Sequence, residues 1–382
     1  MKNLKCMKKI NLAFVGGAIN SAVGRVHVVS SQMDGKFKLV AGCFSRNSDI
    51  NLQSGRAYGL SEERIYPSLK ELIKNEKYNI DAIVILTPQD QHIEQLEKCI
   101  MSGIPVICEK ALVSSLEDAL RLRKLIEEKG GFLRVTYNYS GYPIVREIRE
   151  IVLSGKLGKI QQVKIEMPQE GFLRKAPDGK PVVPQNWRLQ DGHIPTIFLD
   201  LGIHVHHLID FLIQEKPLNL VAHASNYGNF KGIVDNVNVL ANYTNNVFIN
   251  IWYSKTAIGN RNGLHFYLYG DKGAIEWRQE NPEIFYFYKD TGERCMMDRG
   301  NPDIAIANNE CYTRFKAGHP AGYIEAFANY YCDLEKDLSA FLSEKKDRKG
   351  SYVFGLDESI EGLAFLNTVS QSILEKKWVA IS

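Results

Sequence analysis

The sequence predicts an α/β protein in two parts: an N-terminal doubly wound parallel sheet over residues 1–137, then an α+β part over 138–382 built on a large, mostly antiparallel sheet. Three observations lead there. Short apolar runs at 10–15, 38–44, 82–86 and 105–108 alternate with helical patterns, as buried parallel strands do. The first of these runs passes straight into a glycine pair, Gly16 and Gly17. From residue 160 onward the pattern changes to longer strands separated by turns such as Asn245-Asn246 and Asp271-Lys272-Gly273. At 382 residues the chain exceeds the usual single-domain size, which agrees with two domains.

Taken in order, the strand at 10–15 feeds a turn in which Gly16 and Gly17 let backbone N–H groups approach a pyrophosphate. Ala18 and Ser21 belong to the same turn, and the N-terminus of the helix expected over 21–33 favours the negative charge. This is a dinucleotide cradle of the Rossmann type, with Ala18 in the second glycine's place and Gly24 arriving two residues late. The same residues also suit an ordinary strand-to-helix turn. The strand at 38–44 completes a βαβ unit and strengthens the cradle. It ends in Ser45 and Arg46, where an NAD enzyme places a carboxylate against the ribose. Arg46 reads either as an acceptor for a 2′-phosphate or as a solvated loop residue, so the cofactor is NAD or NADP, tilted by Arg46 toward NADP.

After a short element at 62–66 and a helix at 69–74, the strand at 82–86 ends in Thr87 and Pro88. That is the carboxyl edge at which doubly wound sheets bind ligands. His92 opens a helix over 92–102 and reads as a cap or as a cofactor contact. The strand at 105–108 leads into Glu109 and Lys110, a charged pair at a strand's carboxyl end. Lys110 is a proton-donor candidate, since partial burial and a nearby oxidised nicotinamide would both ease loss of its proton. The plainer alternative is a surface ion pair with Glu109. A strand at 131–137 closes this part.

Composition narrows the partners. Lys plus Arg is 47 against 44 for Asp plus Glu, a net charge of +3, too slight to imply nucleic acid or an anionic membrane. Lys2, Lys5, Lys8 and Lys9 precede only a short apolar run, which reads as a strand and not a signal segment. No stretch reaches transmembrane length. Seven scattered cysteines form no C-x-x-C pair, which points to a reducing, cytoplasmic setting.

In the second part a helix at 143–153 precedes runs at 161–167, 218–225, 237–242, 247–254, 264–269, 274–279 and 284–289, read as a sheet of about six strands. Its aromatic residues, among them Trp252, Tyr253, Phe266, Tyr267, Tyr269 and Trp277, suit sheet packing and a subunit interface better than a sugar-binding stack. Residues 197–211 read as a helix with Asp200 and His204 at i and i+4, a shared face and a plausible acid/base pair. His207 shares a face with His204, but without H-E-x-x-H and with few local carboxylates no metal is expected. Residues 290–320 read as a long polar loop in which His319 is structural or reaches the substrate. Helices at 321–342 and 356–375 flank a charged run at 344–349, read as a solvated loop, and the last helix packs beside the sheet or returns to the first domain.

The glycine turn with His27, Thr87-Pro88 followed by His92, Glu109-Lys110, Asn138-Tyr139, G-K-L-G-K-I from Gly155, Trp187-Arg188 and D-L-G-I-H from Asp200 resemble, in order, the Gfo/Idh/MocA family. The resemblance covers nearly the whole chain. Y-N-Y-S-G-Y-P from Tyr137 and G-H-P-x-G-Y-I-E-A-F-A from Gly318 look like one subgroup. One departure stands out, Ala111 where the family's E-K-P has proline. The resemblance implies an NAD(P)-dependent oxidoreductase of sugars, cyclitols or nucleotide-sugars, forming a homodimer or homotetramer through the C-terminal sheet. It assigns the cofactor to Gly16, Gly17, Ala18, Ser21, Ser45, Arg46, Thr87, Pro88, His92, Glu109, Lys110, Asn138, Trp187 and Arg188. Substrate falls to Lys110, Tyr139, Asp200, His204 and His207, with Lys110, His204 and Asp200 as catalytic residues. The expected chemistry is hydride transfer with His204 or Lys110 moving the hydroxyl proton. Two alternatives are a cofactor-retaining lyase or glycosidase without net redox change and a non-catalytic binding protein on the same fold.

Overall fold

A computed structural model describes residues 9–343 and 352–381, so Lys2, Lys5, Lys8 and the charged run at 344–349 lie outside the described residues. The elements are β1 (Ile10–Gly16), α1 (Gly24–Gln32), β2 (Phe37–Cys43), α2 (Ser48–Ala57), α3 (Leu69–Glu76), β3 (Ala82–Leu86), α4 (His92–Met101), β4 (Val106–Glu109), α5 (Leu116–Lys129) and β5 (Leu133–Thr136). They continue as α6 (Pro143–Leu153), β6 (Ile160–Pro168), α7 (Ile203–Ile213), β7 (Pro217–Ser225), β8 (Asn236–Tyr243), β9 (Val247–Ser254) and β10 (His265–Gly270). The last are β11 (Gly273–Arg278), β12 (Ile284–Lys289), β13 (Arg294–Asp298), α8 (Tyr323–Leu342), α9 (Leu356–Glu375) and β14 (Val379–Ala380). Two compact units result. One holds the chain up to Gly141 with Tyr323–Ile360, the other Tyr142–Gly322 with the remainder from Glu361. The sequence reading places the change of domain at 137/138.

The first unit is a five-stranded sheet in the order β2-β1-β3-β4-β5, parallel throughout. β1 and β3 are almost wholly buried, as charge-free strands covered on both faces should be. Register places Gly16 beside Leu86, Ile85 beside Cys108 and Glu109 beside Thr136, so four strands end along one carboxyl edge. α1 starts at Gly24, three residues later than expected, because the turn after β1 is longer than the helical pattern suggests. A Cβ on Gly24 would lie 2.0 Å from the Gly17 carbonyl oxygen, so the helix meets the turn backbone to backbone. Two helices have no counterpart in the sequence reading. α2 is capped by Asn47, whose side chain accepts from the Asp49 and Ile50 amides, and α5 by Ser115, closing at a left-handed Gly130. Within the same unit α8 packs on α1, with Phe327 and Tyr331 edge-on to His27 at 4.7 and 5.8 Å between ring centres.

The second unit carries nine strands and not about six, in the order β13-β12-β11-β10-β6-β9-β8-β7-β14, antiparallel except for the β6–β9 pair. The additional edges are β13, which sits inside the stretch expected to be all loop, and the two-residue β14. Both are short or polar, which suits an edge and leaves little pattern to read. Phe266, Leu268, Ile275, Trp277 and Phe285 are buried, and α7 packs on β6. On the alternate positions Tyr267 stacks on Tyr269 and Tyr286 on Tyr288. The rest of 290–320 is tied down: the Glu147 carboxylate accepts from the Ala305, Ile306 and Ala307 amides, and Arg299 donates to Glu283 and to the His319 carbonyl.

Replacement Gly24→Ala is expected to lower stability by about 1–3 kcal/mol, because the added methyl meets backbone and not a yielding side chain. Urea unfolding checks it, and an unchanged midpoint would show that the helix shifts away at no cost.

Candidate active site

The parallel register brings most of the expected cofactor residues to one edge of the first unit. Gly16 and Gly17 both have left-handed backbone, φ +80° and +70°, and a Cβ on either would fall within 3 Å of Leu86 or Thr87. The Ala18 carbonyl accepts from the Ser21 amide at 2.7 Å, closing the turn, and the Ile19 amide donates to Ser54 Oγ. No side chain caps α1, and its first turn carries no acidic residue, an arrangement open to an anion. Tyr58 donates to the Gly17 carbonyl at 2.9 Å and fixes the turn from the α2 side. At the end of β2, Asn51 Oδ1 accepts from the Phe44 amide at 2.7 Å, and Arg46 is exposed.

Thr87, Pro88 and His92 follow β3. His92 is buried, its Nε2 lying 2.8 Å from the Thr87 carbonyl oxygen and its Nδ1 3.0 and 3.1 Å from those of Leu112 and Ala111. Burial pushes its pKa down, against the pull of these carbonyls and of Glu109. The ring thus ties the Thr87 loop to the loop after Lys110, whose peptide bond to Ala111 is cis. Lys110 is half-buried. Glu109 is buried, and its Oε1 accepts from His27 Nε2 at 2.9 Å and from Thr136 Oγ1. Burial alone would raise the Glu109 carboxyl, but the hydrogen bond and charge of His27, then the Thr136 hydrogen bond and the neighbour Lys110, outweigh it and hold it below the usual carboxylate range. Beyond β5, Asn138 and Tyr139 lie in a buried 3₁₀ turn, and among the described residues Asn138 Nδ2 is a buried donor with no hydrogen-bond partner.

The other candidates lie in the second unit. Residues 198–202 form a π turn that runs into α7, and i→i+5 bonding widens it, so a step of four residues is not the α-helical step assumed for Asp200 and His204. Both side chains are buried. Asp200 Oδ2 accepts from Lys255 Nζ at 2.6 Å and from the Arg188 guanidinium. Arg188, in the 3₁₀ turn Asn186–Leu189, stacks over Trp187 with the guanidinium 4.4 Å from the ring centre. Lys255 was missed by the sequence reading. It follows β9 directly, a charge at the end of a half-buried strand, the same signal that singled out Lys110. His207 is buried against Phe211, and burial first, then His206 and Arg149, pushes its pKa down. His206 is pushed down to about 4 by burial. Among the described residues no group of three or more His, Cys, Asp or Glu could hold a metal, and no helix is long and apolar enough to cross a membrane.

Similarity to known proteins gives the family and the fold. Residues 10–137 match the oxidoreductase family with an NAD-binding Rossmann fold, and residues 145–276 match the Gfo/Idh/MocA C-terminal domain, more than half of the chain together. The chain belongs to the Gfo/Idh/MocA family. It is an oxidoreductase of that family. An uncharacterized oxidoreductase of Bacillus subtilis, YfiI, is 27% identical over 97% of both chains. The inositol 2-dehydrogenase of Rhizobium meliloti is 24% identical, covering 94% of this chain and 96% of the relative. The crystal structure of an inositol dehydrogenase homolog from Azotobacter vinelandii, complexed with NADH and myo-inositol, superposes with a TM-score of 0.90 at 25% identity over 98% of both chains. The glycine turn of this family member departs from the plain motif, yet its left-handed pair and uncapped helix keep the features that a pyrophosphate needs.

The neutral His206 has a consequence for pH. An unfolded histidine takes a proton near its ordinary value of 6.5, while the folded ring resists until about 4, so the unfolded state binds more protons in between and stability falls as pH drops through that window. The loss is expected to reach about 3 kcal/mol. Denaturant melts between pH 7 and 4 should show a shallower slope in His206→Leu; equal slopes would place the proton uptake elsewhere.

Proposed function

We propose that this protein is an NAD(P)-dependent dehydrogenase that moves a hydride between a nicotinamide and a hydroxyl-bearing carbon of a sugar or cyclitol. The observation that carries this reading is the common carboxyl edge of the first unit, which gathers the glycine turn, Thr87, Pro88 and the Glu109-Lys110 pair. The fit to a dinucleotide is supported by Gly16 and Gly17, by the uncapped α1 and by the unpartnered Asn138 Nδ2. Gly16, Gly17, Ala18 and Ser21 would hold the pyrophosphate, with Ser45 and Arg46 toward the adenosine and Thr87, Pro88, His92, Glu109 and Asn138 toward the nicotinamide end. When bound, the cofactor supplies the hydride acceptor or donor.

Lys110 stabilises the developing alkoxide during oxidation and polarises the carbonyl in the reverse direction. His204 takes or returns the hydroxyl proton, and Asp200 holds a substrate hydroxyl or the surrounding cations in place. Tyr139 and His207 complete the substrate set, while Trp187 and Arg188 offer a guanidinium for a phosphate of the cofactor or of a nucleotide-sugar. The sugar class is supported by the names of relatives such as inositol 2-dehydrogenase and the glucose-6-phosphate 3-dehydrogenase of Bacillus subtilis. Arg46, exposed where a ribose-binding carboxylate is absent, favours NADP. The face carrying Tyr267, Tyr269, Tyr286 and Tyr288 pairs subunits into a homodimer or homotetramer.

The test is a panel of sugars, sugar phosphates and inositols with NAD and NADP, following reduced nicotinamide. Lys110→Ala is expected to lose about two to four orders of magnitude in turnover. Arg46→Ala is expected to abolish a preference for NADPH over NADH in fluorescence titration. Product without reduced cofactor would replace the dehydrogenase by a cofactor-retaining lyase or glycosidase, and undiminished turnover in Lys110→Ala would remove the lysine from the mechanism.

A further inference from the structure

His27 lies outside every role assigned above, yet it is fully buried on α1 and both of its ring nitrogens are engaged. Nε2 is 2.9 Å from Glu109 Oε1, and Nδ1 is 2.7 Å from the Tyr331 hydroxyl. An ionised carboxylate only accepts, so Nε2 donates to Glu109, while Nδ1 and the Tyr331 hydroxyl share the second hydrogen bond. The phenol keeps its proton, because burial and the nearby Glu109 charge push its ionisation well above the ordinary range. A chain of hydrogen bonds therefore runs from Tyr331 on α8 through His27 to Glu109 at the end of β4, with Thr136 of β5 donating to the same carboxylate oxygen. Two donors, His27 Nε2 and Thr136 Oγ1, converge on one carboxylate oxygen of Glu109. A buried carboxylate kept charged at such cost is the residue immediately before Lys110.

We propose that His27 is a positioning residue for the chemistry at Lys110: together with Tyr331 and Thr136 it keeps Glu109 a fixed anion beside the lysine. This rests on the reading of Lys110 given above. The opposite charge attracts the lysine side chain electrostatically and so helps to set its place at the carboxyl edge, where it stabilises an alkoxide. The groups around Glu109 are His27 from α1, Thr136 from β5, Tyr331 from α8, His92 from α4, Tyr137 after β5, and its neighbours Cys108 and Lys110. His92 and the thiol and phenol groups are neutral here, since burial lowers the first and raises the others. His27 and Thr136 both donate to the carboxylate. Without the His27 donor the opposition to burial weakens, and the Glu109 carboxyl is expected to keep its proton to higher pH.

Infrared spectroscopy of the intact protein reads this directly through the carbonyl band of a protonated carboxyl group, assigned by its absence in Glu109→Gln. In the wild type the band should be missing at neutral pH and appear only in acid. In His27→Leu its midpoint is expected to rise by about one to three units. Thr136→Val, nearly isosteric, should move it in the same direction, and His27→Gln, which restores an N–H donor, should bring it back. A merely structural histidine would leave the midpoint unmoved in a folded His27→Leu, and that result, or a protonated Glu109 in the wild type at neutral pH, overturns the proposal. Should His27→Leu fail to fold, His27→Phe, which keeps an aromatic ring but has no donor, takes its place in the same comparison. The band reports Glu109 itself, so its outcome is separate from whether Lys110→Ala loses turnover: a shifted band with an active Lys110→Ala strikes the proposed function and leaves the hydrogen-bond chain standing.

Discussion

The backbone contact between Gly17 and Gly24 is the constraint on which the first unit depends. A Cβ at residue 24 would lie 2.0 Å from the Gly17 carbonyl oxygen, so α1 can begin this close to the end of β1 only because that position has no side chain. Three residues on, His27 is then buried within reach of the far side of the neighbouring strands, where β4 ends in Glu109. The same contact leaves the first amides of α1 beside the glycine turn, where no side chain caps them. One missing methyl thus bears on both the cradle and the charge beside Lys110.

Both units handle buried charge by the same rule, that a carboxylate out of water needs donors in number. Glu109 has an imidazole and a hydroxyl; Asp200 has an ammonium and a guanidinium. The difference is chemical. The Glu109 carboxylate stands directly before Lys110 in the chain. Two cations on one carboxylate at Asp200 make a positively weighted cluster suited to oxygen-rich ligands.

Much of this was legible in the sequence because it is written in strong local signals. The strands at 82–86, 247–254 and 284–289 and the helices at 143–153 and 356–375 coincide with β3, β9, β12, α6 and α9, since apolar periodicity and a glycine or proline mark their ends. The signals that failed were weak. α2, with polar Ser48, Asp49, Asn51 and Gln53 and an internal Gly55, carries little apolar face, and α5 buries only Ala119 and Leu122. β13 is a polar edge strand, and edges need no inward apolar row. At the site, Lys110 announced itself by its neighbour and its place after an apolar run. Lys255 carries the same end-of-strand signal, but its partner Asp200 lies 55 residues away, and a long-range pair leaves no spacing to tie the two together. His27 was visible as part of a motif, but its partners Glu109 and Tyr331 are 82 and 304 residues distant.

The central claim is that a dinucleotide occupies the carboxyl edge of the five-stranded sheet. Hydrogen–deuterium exchange with and without NADH tests it most directly, because amides that face a bound cofactor slow and the rest do not. Protection concentrated at residues 16–24, 44–47, 87–92 and 109–112 is the expected result. Protection absent from those segments at saturating NADH, or confined to the opposite edge, would contradict the account.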